Sequence, residues 1–219
     1  MPRSSRAAWK VYKNVFDQFT QEILIKLQAQ GHFDELMHQM HVGKEANVFL
    51  ANKGEEFVAV KIYRLQNCNF NKMHEYLSHD ERYFDVKNNK RKIVLAWVQR
   101  EYANLFLARE HISCPTPHTF RGNIIVMDLI GHESNPAPML KDKKPKNPKK
   151  FYEECKDMIE KLRKGGLVHG DISAFNILNH DEQPVFIDFS QATTVTSPRA
   201  RELYERDMKN LEAFFSKKH

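Results

Sequence analysis

Leu167 to Leu178 reads L-V-H-G-D-I-S-A-F-N-I-L, which sets Asp171 and Asn176, with four residues between them, on a loop that follows an apolar, strand-like start. A carboxylate in such a loop can accept or orient the proton of an attacking hydroxyl, and an amide oxygen at that distance can ligate a magnesium ion. Twelve residues beyond Asn176, Val185-Phe186-Ile187-Asp188-Phe189 ends an apolar strand on a second carboxylate. An acid there is costly to desolvate unless paired, and a divalent ion bridging nucleotide phosphates is a natural partner. The chemistry this trio suits is phosphoryl transfer, which needs charge neutralisation by hard oxygen ligands and Mg2+ more than covalent catalysis. Taken singly, Asp171 and Asn176 could cap turns and Asp188 could be an ordinary turn residue. The order strand, H-x-D-x-x-x-x-N, hairpin, strand ending in Asp favours the catalytic reading, because it is the spacing of the protein-kinase catalytic loop and metal site.

A site of that kind needs a cation for the phosphates. Lys61 lies inside the apolar run V-A-V-K-I-Y, where an unpaired ammonium is expensive, and Glu101 interrupts the apolar face of a later helix. The two are expected to pair and so to position nucleotide phosphates; the alternative is that Lys61 snorkels and Glu101 faces water. Gly43-Lys44-Glu45-Ala46-Asn47-Val48 precedes the first hairpin where a phosphate-covering loop belongs, with Gly43, Lys44 and Val48 as its nucleotide contacts, although it holds one glycine where the usual motif has three. Asp128-Leu129-Ile130 falls where a hinge would offer backbone groups to an adenine, and an ordinary strand exit would read the same. His169 is read as structural, and the other histidines lack the short spacing of a transition-metal site, so no metal beyond nucleotide-associated ions is implied.

The elements that must hold these residues follow from periodicity. Trp9, Tyr12, Phe16, Phe19, Ile23 and Leu27 recur at helical spacing, with Gly31 as the terminator, and Phe33 to Met40 suggests a second short helix. Asn47–Ala51 and Phe57–Tyr63, separated by Asn52, Lys53 and Gly54, read as a hairpin. Gln66 to Lys92 is polar, rich in scattered Asn, and reads as irregular and in part mobile; Ile93 to His111 is a helix with Val98, Tyr102, Leu105 and Phe106 on one face. Ile124 to Ile130 is a strand, and Lys141 to Lys150 a solvated loop or interlobe linker. Phe151, Cys155, Met158, Ile159 and Leu162 share a helical face that ends at Gly165-Gly166, and Arg199 to Lys217 is a closing amphipathic helix.

Composition sets outer limits. The 219 residues suit one generous domain or a small bilobal unit, and 41% hydrophobic with 28% charged residues is ordinary for a packed globular chain. No apolar run reaches the length of a membrane helix, Met1 to Lys10 lacks a secretory apolar segment, and Cys68, Cys114 and Cys155 are unpaired in spacing, so a cytoplasmic protein with reduced thiols and no membrane partner is expected. A net charge of +6 favours approach to polyanions without proving it.

G-K-E-A-N-V-F at 43–49, V-K-I-Y-R at 60–64, R-E-Y-A-N-L at 100–105, H-G-D-I-S-A-F-N at 169–176 and I-D-F-S-Q-A at 187–192 closely resemble the RIO family of atypical serine/threonine kinases, over a stretch from about Gly43 to the C-terminus. The G-K-E-A-N-V loop and the Gln-Ala after Asp188 point to its type-one branch, which carries extra N-terminal helices. His41-Val42, Gly170 and Ser190 depart from the usual family residues. The resemblance implies an α+β, bilobal protein-kinase-like fold: N-terminal helices over 1–40, a small β-rich N-lobe to the hinge over 41–130, and a reduced, mainly helical C-lobe over 131–219. It further implies Asp171 as catalytic base, Asn176 and Asp188 as metal ligands, Lys61 as the phosphate-binding lysine, Asp128 and Ile130 as the adenine hinge, and Asp188 as a phospho-acceptor in an ATPase cycle. ATP with Mg2+, or Mn2+ in its place, and a pre-ribosomal small subunit as partner are implied by the resemblance alone. Two other readings stand beside it: an aminoglycoside- or choline-type small-molecule kinase, which shares H-G-D but normally adds substrate-binding helices after the metal Asp, and a noncatalytic ATP-gated binding module, which a complete catalytic set disfavours.

Overall fold

The chain, described here by a computed structural model, is defined for residues 16–66, 68–83, 85–86 and 89–216. Its first element, α1 (Gln18–Ala29), starts where the Asp17 carboxylate accepts the Thr20 N–H at 3.0 Å, and it stops at Gly31, whose φ of +75° reverses the backbone. Trp9 and Tyr12 of the expected first helix lie outside the described residues.

A five-stranded antiparallel sheet follows, in the order β1-β2-β3-β5-β4, from β1 (Glu35–Val42), β2 (Ala46–Lys53), β3 (Glu56–Tyr63), β4 (Pro117–Arg121) and β5 (Ile124–Asp128). The expected helix over Phe33 to Met40 is therefore corrected to an edge strand. Its apolar residues had helical spacing, but the backbone pairs with β2 from Glu35↔Asn52 to Val42↔Asn47, and register irregularities after Leu36 and Gln39 break the alternation that would have marked a strand.

The period of two along β3 organises both faces. Val58, Val60 and Ile62 join Ile23, Leu24 and Leu27 of α1, Phe33 and Val126 in one core on the outer face. Ala59 and Tyr63 join Ile125 and Met127 of β5 in the other core, and this second face also carries Lys61. Over it lies α3 (Lys90–Ala108), with Val94, Trp97, Val98, Glu101 and Leu105 buried, while Phe106, expected on that face, is exposed. The polar stretch before it is not wholly irregular: α2 (Phe70–Ser78) forms there, burying Met73, Tyr76 and Leu77. Its asparagines start helices, since Asn69 caps α2 by accepting the Lys72 N–H and Asn89 caps α3 by accepting that of Lys92, both at 3.1 Å.

The chain leaves β5 through Asp128–Ile130 into a small hairpin, β6 (Gly131–His132) and β7 (Asn135–Pro136), and then runs along residues 174–177, where Leu140 N–H donates to the Ile177 carbonyl at 2.8 Å and Lys141 N–H to that of Ala174 at 3.0 Å. The lysine-rich segment that follows is solvent-exposed as expected but does not bridge lobes: it lies against the same C-terminal body, with Lys143 carbonyl accepting from Asn179 and Lys146 N–H donating to Glu182. Its last residues open α4 (Pro148–Lys164), capped by Asn147 and burying the five residues expected. Beyond it come β8 (Leu167–Val168), the hairpin β9 (Ile177–His180) and β10 (Gln183–Phe186), a short 3-10 turn (Phe189–Gln191), β11 (Thr193–Thr194), which pairs with β8, and α5 (Ala200–Ser216). No helix among the described residues is long and apolar enough to cross a membrane.

Because α1 supplies fully buried side chains to the outer core, Leu24→Ala is expected to lower the unfolding free energy by about 2–5 kcal/mol in urea titration. A loss below 1 kcal/mol would mean that the helix is not integral to the sheet.

Candidate active site

Between the sheet and the helical body is a cleft of about 750 Å³, and every residue singled out from the sequence lines it: Gly43, Lys44 and Val48 above, Lys61 and Glu101 at the back, Asp128 and Ile130 at the hinge, and Asp171, Asn176 and Asp188 below. Gly43 is fixed by crowding, because a Cβ there would sit 2.5 Å from the Ala46 carbonyl oxygen. Lys44 is exposed at the tip of that turn, and Val48 is half-buried on β2.

At the back, Lys61 Nζ lies 2.7 Å from Glu101 Oε1 and 3.1 Å from Asp188 Oδ1. Burial opposes its charge, but the carboxylates of Asp188 and Glu101 outweigh that and hold the ammonium protonated well above the ordinary lysine range. Burial pushes the Glu101 carboxyl up, while Lys61 and the Tyr63 hydroxyl, which donates to Oε2, pull against it. Asp188 goes the other way: burial would raise it, yet Lys61, the Ser190 N–H and His169 hold it at about 2. It is anionic at any physiological pH.

Across the floor, Asn176 Nδ2 donates to the Asp171 carbonyl at 2.8 Å and to its Oδ2 at 2.9 Å. Burial and then the nearby Asp188 charge raise the Asp171 carboxyl, and the same two causes raise that of Glu45 in the G-K-E-A-N-V turn. Three carboxylates that disfavour one another's charge, beside an amide, form a hard-oxygen set short of positive charge, which suits Mg2+ held by Asn176 and Asp188. His169 is buried and neutral, its pKa lowered to about 4 by desolvation. It accepts the Asp171 N–H at Nδ1 (3.3 Å) and, from Nε2, donates to the Ile187 carbonyl at 3.1 Å, tying the Asp171 loop to the segment of Asp188, a structural role.

The hinge residues meet the cleft differently from a side-chain ligand. Asp128 Oδ2 accepts the Thr116 N–H at 3.1 Å and Oδ1 pairs with His118 Nε2 at 2.6 Å, so its carboxylate is spent on Thr116 and β4; its N–H donates to the Thr116 carbonyl at 3.0 Å, which leaves its own carbonyl as the group to face a base. Ile130 carbonyl accepts the Ala137 N–H at 2.8 Å.

Sequence reasoning missed the residues that hold this machinery in place. Asp188 has φ +63° and ψ +73°, a left-handed conformation that costs a non-glycine residue on the order of 1 kcal/mol and persists only where the surroundings enforce it. Enforcement comes from α3: the fully buried Arg100 donates to the Ser190 carbonyl and pairs with Asp80 at 2.8 Å, and Asn104 Nδ2 donates to the carbonyls of Phe189 at 3.1 Å and Ala192 at 2.8 Å. The signal was present, since both stand in R-E-Y-A-N-L beside Glu101. Below, Asp207 of α5 accepts the N–H groups of Gly170 at 2.7 Å and Ile172 at 2.9 Å, clamping the loop on either side of Asp171. A lone Asp in an amphipathic helix carries no sign of that.

A five-stranded sheet hinged to a helical body, with a strand lysine paired to a helix glutamate over a D-x-x-x-x-N loop and a strand-end Asp, defines a protein-kinase-like domain. Known proteins agree. The RIO domain family model matches residues 47–219. The RIO-type serine/threonine-protein kinase Rio1 of Methanocaldococcus jannaschii is 41% identical over 210 residues, spanning 95% of this chain and 72% of that protein, and Rio1 of Haloferax volcanii is 40% identical over 209 residues, spanning 94% and 72%. The crystal structure of a Rio2 kinase-ADP/Mg2+-phosphoaspartate complex from Chaetomium thermophilum superposes with a TM-score of 0.68 at 25% identity, covering 88% of this chain and 58% of that one. The chain belongs to the RIO domain family, in the type-one branch of its Rio1 relatives.

Asp207→Ala leaves two buried N–H groups without an acceptor and is expected to cost about 2–6 kcal/mol at pH 5 by chemical denaturation, on about 1–3 kcal/mol per unsatisfied group. The cost has a pH signature. Burial raises the Asp207 carboxyl to about 6, against the pull of its two N–H bonds, so the folded state takes up a proton that the unfolded chain releases near its ordinary value of 3.8. The advantage of wild type over the variant is therefore greatest below about pH 4 and shrinks as pH rises through about 6; an advantage that grows over that interval would reverse the assignment.

Proposed function

We propose that this chain is an ATP- and Mg2+-dependent serine/threonine protein kinase with ATPase activity, with Mn2+ able to replace Mg2+, and that it acts in the cytoplasm on precursors of the small ribosomal subunit. The observation that carries the catalytic reading is the Lys61 ammonium held between Glu101 and Asp188, at 2.7 and 3.1 Å, above the Asp171–Asn176 pair. The ribosomal role rests on the family resemblance, and a net charge of +6 suits a partner rich in RNA phosphate.

In this reading ATP lies with its adenine against the backbone of Asp128 to Ile130 and its phosphates beneath the Gly43–Val48 turn, where Lys61 neutralises their charge. Bound at Asn176 and Asp188, Mg2+ would neutralise charge on the phosphates and hold them in line for attack. Asp171, raised by burial and by Asp188, is suited to accept the proton of a serine or threonine hydroxyl as its oxygen bonds to the γ-phosphorus and the bond to ADP breaks. In the hydrolytic branch a carboxylate oxygen of Asp188 attacks the γ-phosphorus and ADP leaves; water then cleaves the acyl phosphate, releasing inorganic phosphate and restoring the carboxylate. The phosphoaspartate in the Rio2 structure supports that branch.

Incubation with γ-labelled ATP and Mg2+ tests both routes, read as labelled protein and free phosphate. Asp171→Ala is expected to lower serine/threonine labelling by at least about 100-fold. Asp188→Asn is expected to abolish label and phosphate release together, since it removes metal ligand and acceptor at once. Wild-type turnover in both variants would reject the site.

A further inference from the structure

We propose that His132, His180 and Asp181 form a second cation site, separate from the nucleotide cleft, that takes a borderline divalent transition metal such as Zn2+. Spacing gave no hint of it, since His132 and the His180-Asp181 pair are remote in sequence; the expectation of no metal beyond nucleotide-associated ions is revised here. The fold brings them together where the β6–β7 hairpin after the hinge meets the tip of the β9–β10 hairpin. One ligand atom from each residue can be chosen so that all three lie within 4.8 Å of one another.

The geometry is close to that of a three-ligand site. Asp181 Oδ2 lies 2.7 Å from His132 Nε2 and 3.7 Å from His180 Nε2, and the two imidazole rings are 5.0 Å apart between centroids. With metal–ligand bonds of about 2.0–2.2 Å, neighbouring donors in a tetrahedral zinc site stand roughly 3.2–3.5 Å apart, a value the observed pair brackets. His180 supplies an independent indication, because its Nε2 is buried and has no hydrogen-bond partner among the described residues, a costly arrangement that a metal bond relieves.

Asp181 is presented by a turn that needs a reason to be as it is. His180 pairs with Gln183, so Asp181 and Glu182 form a two-residue turn with φ of +51° and +65°, where glycine or asparagine would be the easy choices. That turn aims the carboxylate at His132. Two imidazoles and one carboxylate favour Zn2+, Cu2+ or Ni2+ over Mg2+ or Ca2+, which prefer all-oxygen sets, so the site differs in metal preference from the Asn176–Asp188 pair. Occupancy would tie the hairpin following Ile130 to the one that begins just after Asn176.

Zn2+ titrated alone into the whole chain, by calorimetry and by competition with a chromogenic chelator, tests the site without nucleotide or activity. Wild type is expected to bind one equivalent with micromolar or tighter affinity. His132→Ala, His180→Ala and Asp181→Asn are each expected to weaken it by at least about tenfold, whereas Asp188→Asn keeps it. Zn2+ should raise the melting temperature of wild type and not of the three variants, whose metal-free melting reports that they fold. Zinc binding that survives the histidine changes, that is lost in Asp188→Asn, or that is absent in folded wild type overturns the proposal.

Discussion

The buried ammonium of Lys61 is the constraint around which the rest of the domain is arranged. An isolated cation inside a sheet face is prohibitively costly, and removing one partner from a buried pair typically costs about 3–5 kcal/mol, so two carboxylates must reach it from different elements. Glu101 reaches it because α3 crosses the inner sheet face, and Asp188 because the segment after β10 turns back beneath β3. Neither placement is local. The ion triad therefore fixes the relation of sheet, long helix and the segment of Asp188 at a single point, 40 residues apart in sequence for the Lys61–Glu101 hydrogen bond alone.

Around that point the polar residues of the interior work as positioning devices. Arg100 and Asn104 hold the backbone on the far side of Asp188 through carbonyls of residues 189, 190 and 192, while His169 holds the near side through Ile187 and Asp207 holds the loop of Asp171 from beneath. Each satisfies a main-chain group that would otherwise be buried unpaired, and so converts a hydrogen-bonding requirement into a fixed carboxylate position. Such a scaffold lets the strained φ of Asp188 persist.

What the sequence disclosed and withheld follows from the range of the interactions. Strands with both faces buried, such as V-A-V-K-I-Y and I-I-V-M-D, read as continuous apolar runs, and the charged residues interrupting them stood out because burial made them expensive. Helices α4 and α5 declared themselves by one apolar face. The edge strand β1 did not, since its identity comes from pairing with β2 and its bulges erase the alternation. Nor did α2, whose polar composition concealed an Asn cap and only three buried residues. Asp207 was invisible for the same reason: its role is set by two amides 35 and 37 residues away, and no pattern on its own helix reflects them.

Asp171 and Asp188 illustrate how one cleft can give identical side chains different properties. Both are buried enough that desolvation favours the neutral form, but only Asp188 lies beside Lys61, and it is held at about 2. Its fixed negative charge then adds to the desolvation of Asp171, whose carboxyl is pushed upward. Paired titratable groups driven apart by their surroundings separate into a permanent anion and a proton acceptor. Under the proposed assignment this is what the reaction requires: an oxygen that stays charged to ligate the cation or take the phosphoryl group, and a second, more basic oxygen for the incoming hydroxyl. Because Asp188 stays charged through its contact with Lys61, and that charge adds to the burial that raises Asp171, the residue proposed to bind phosphate would also bear on the proton affinity of the proposed base.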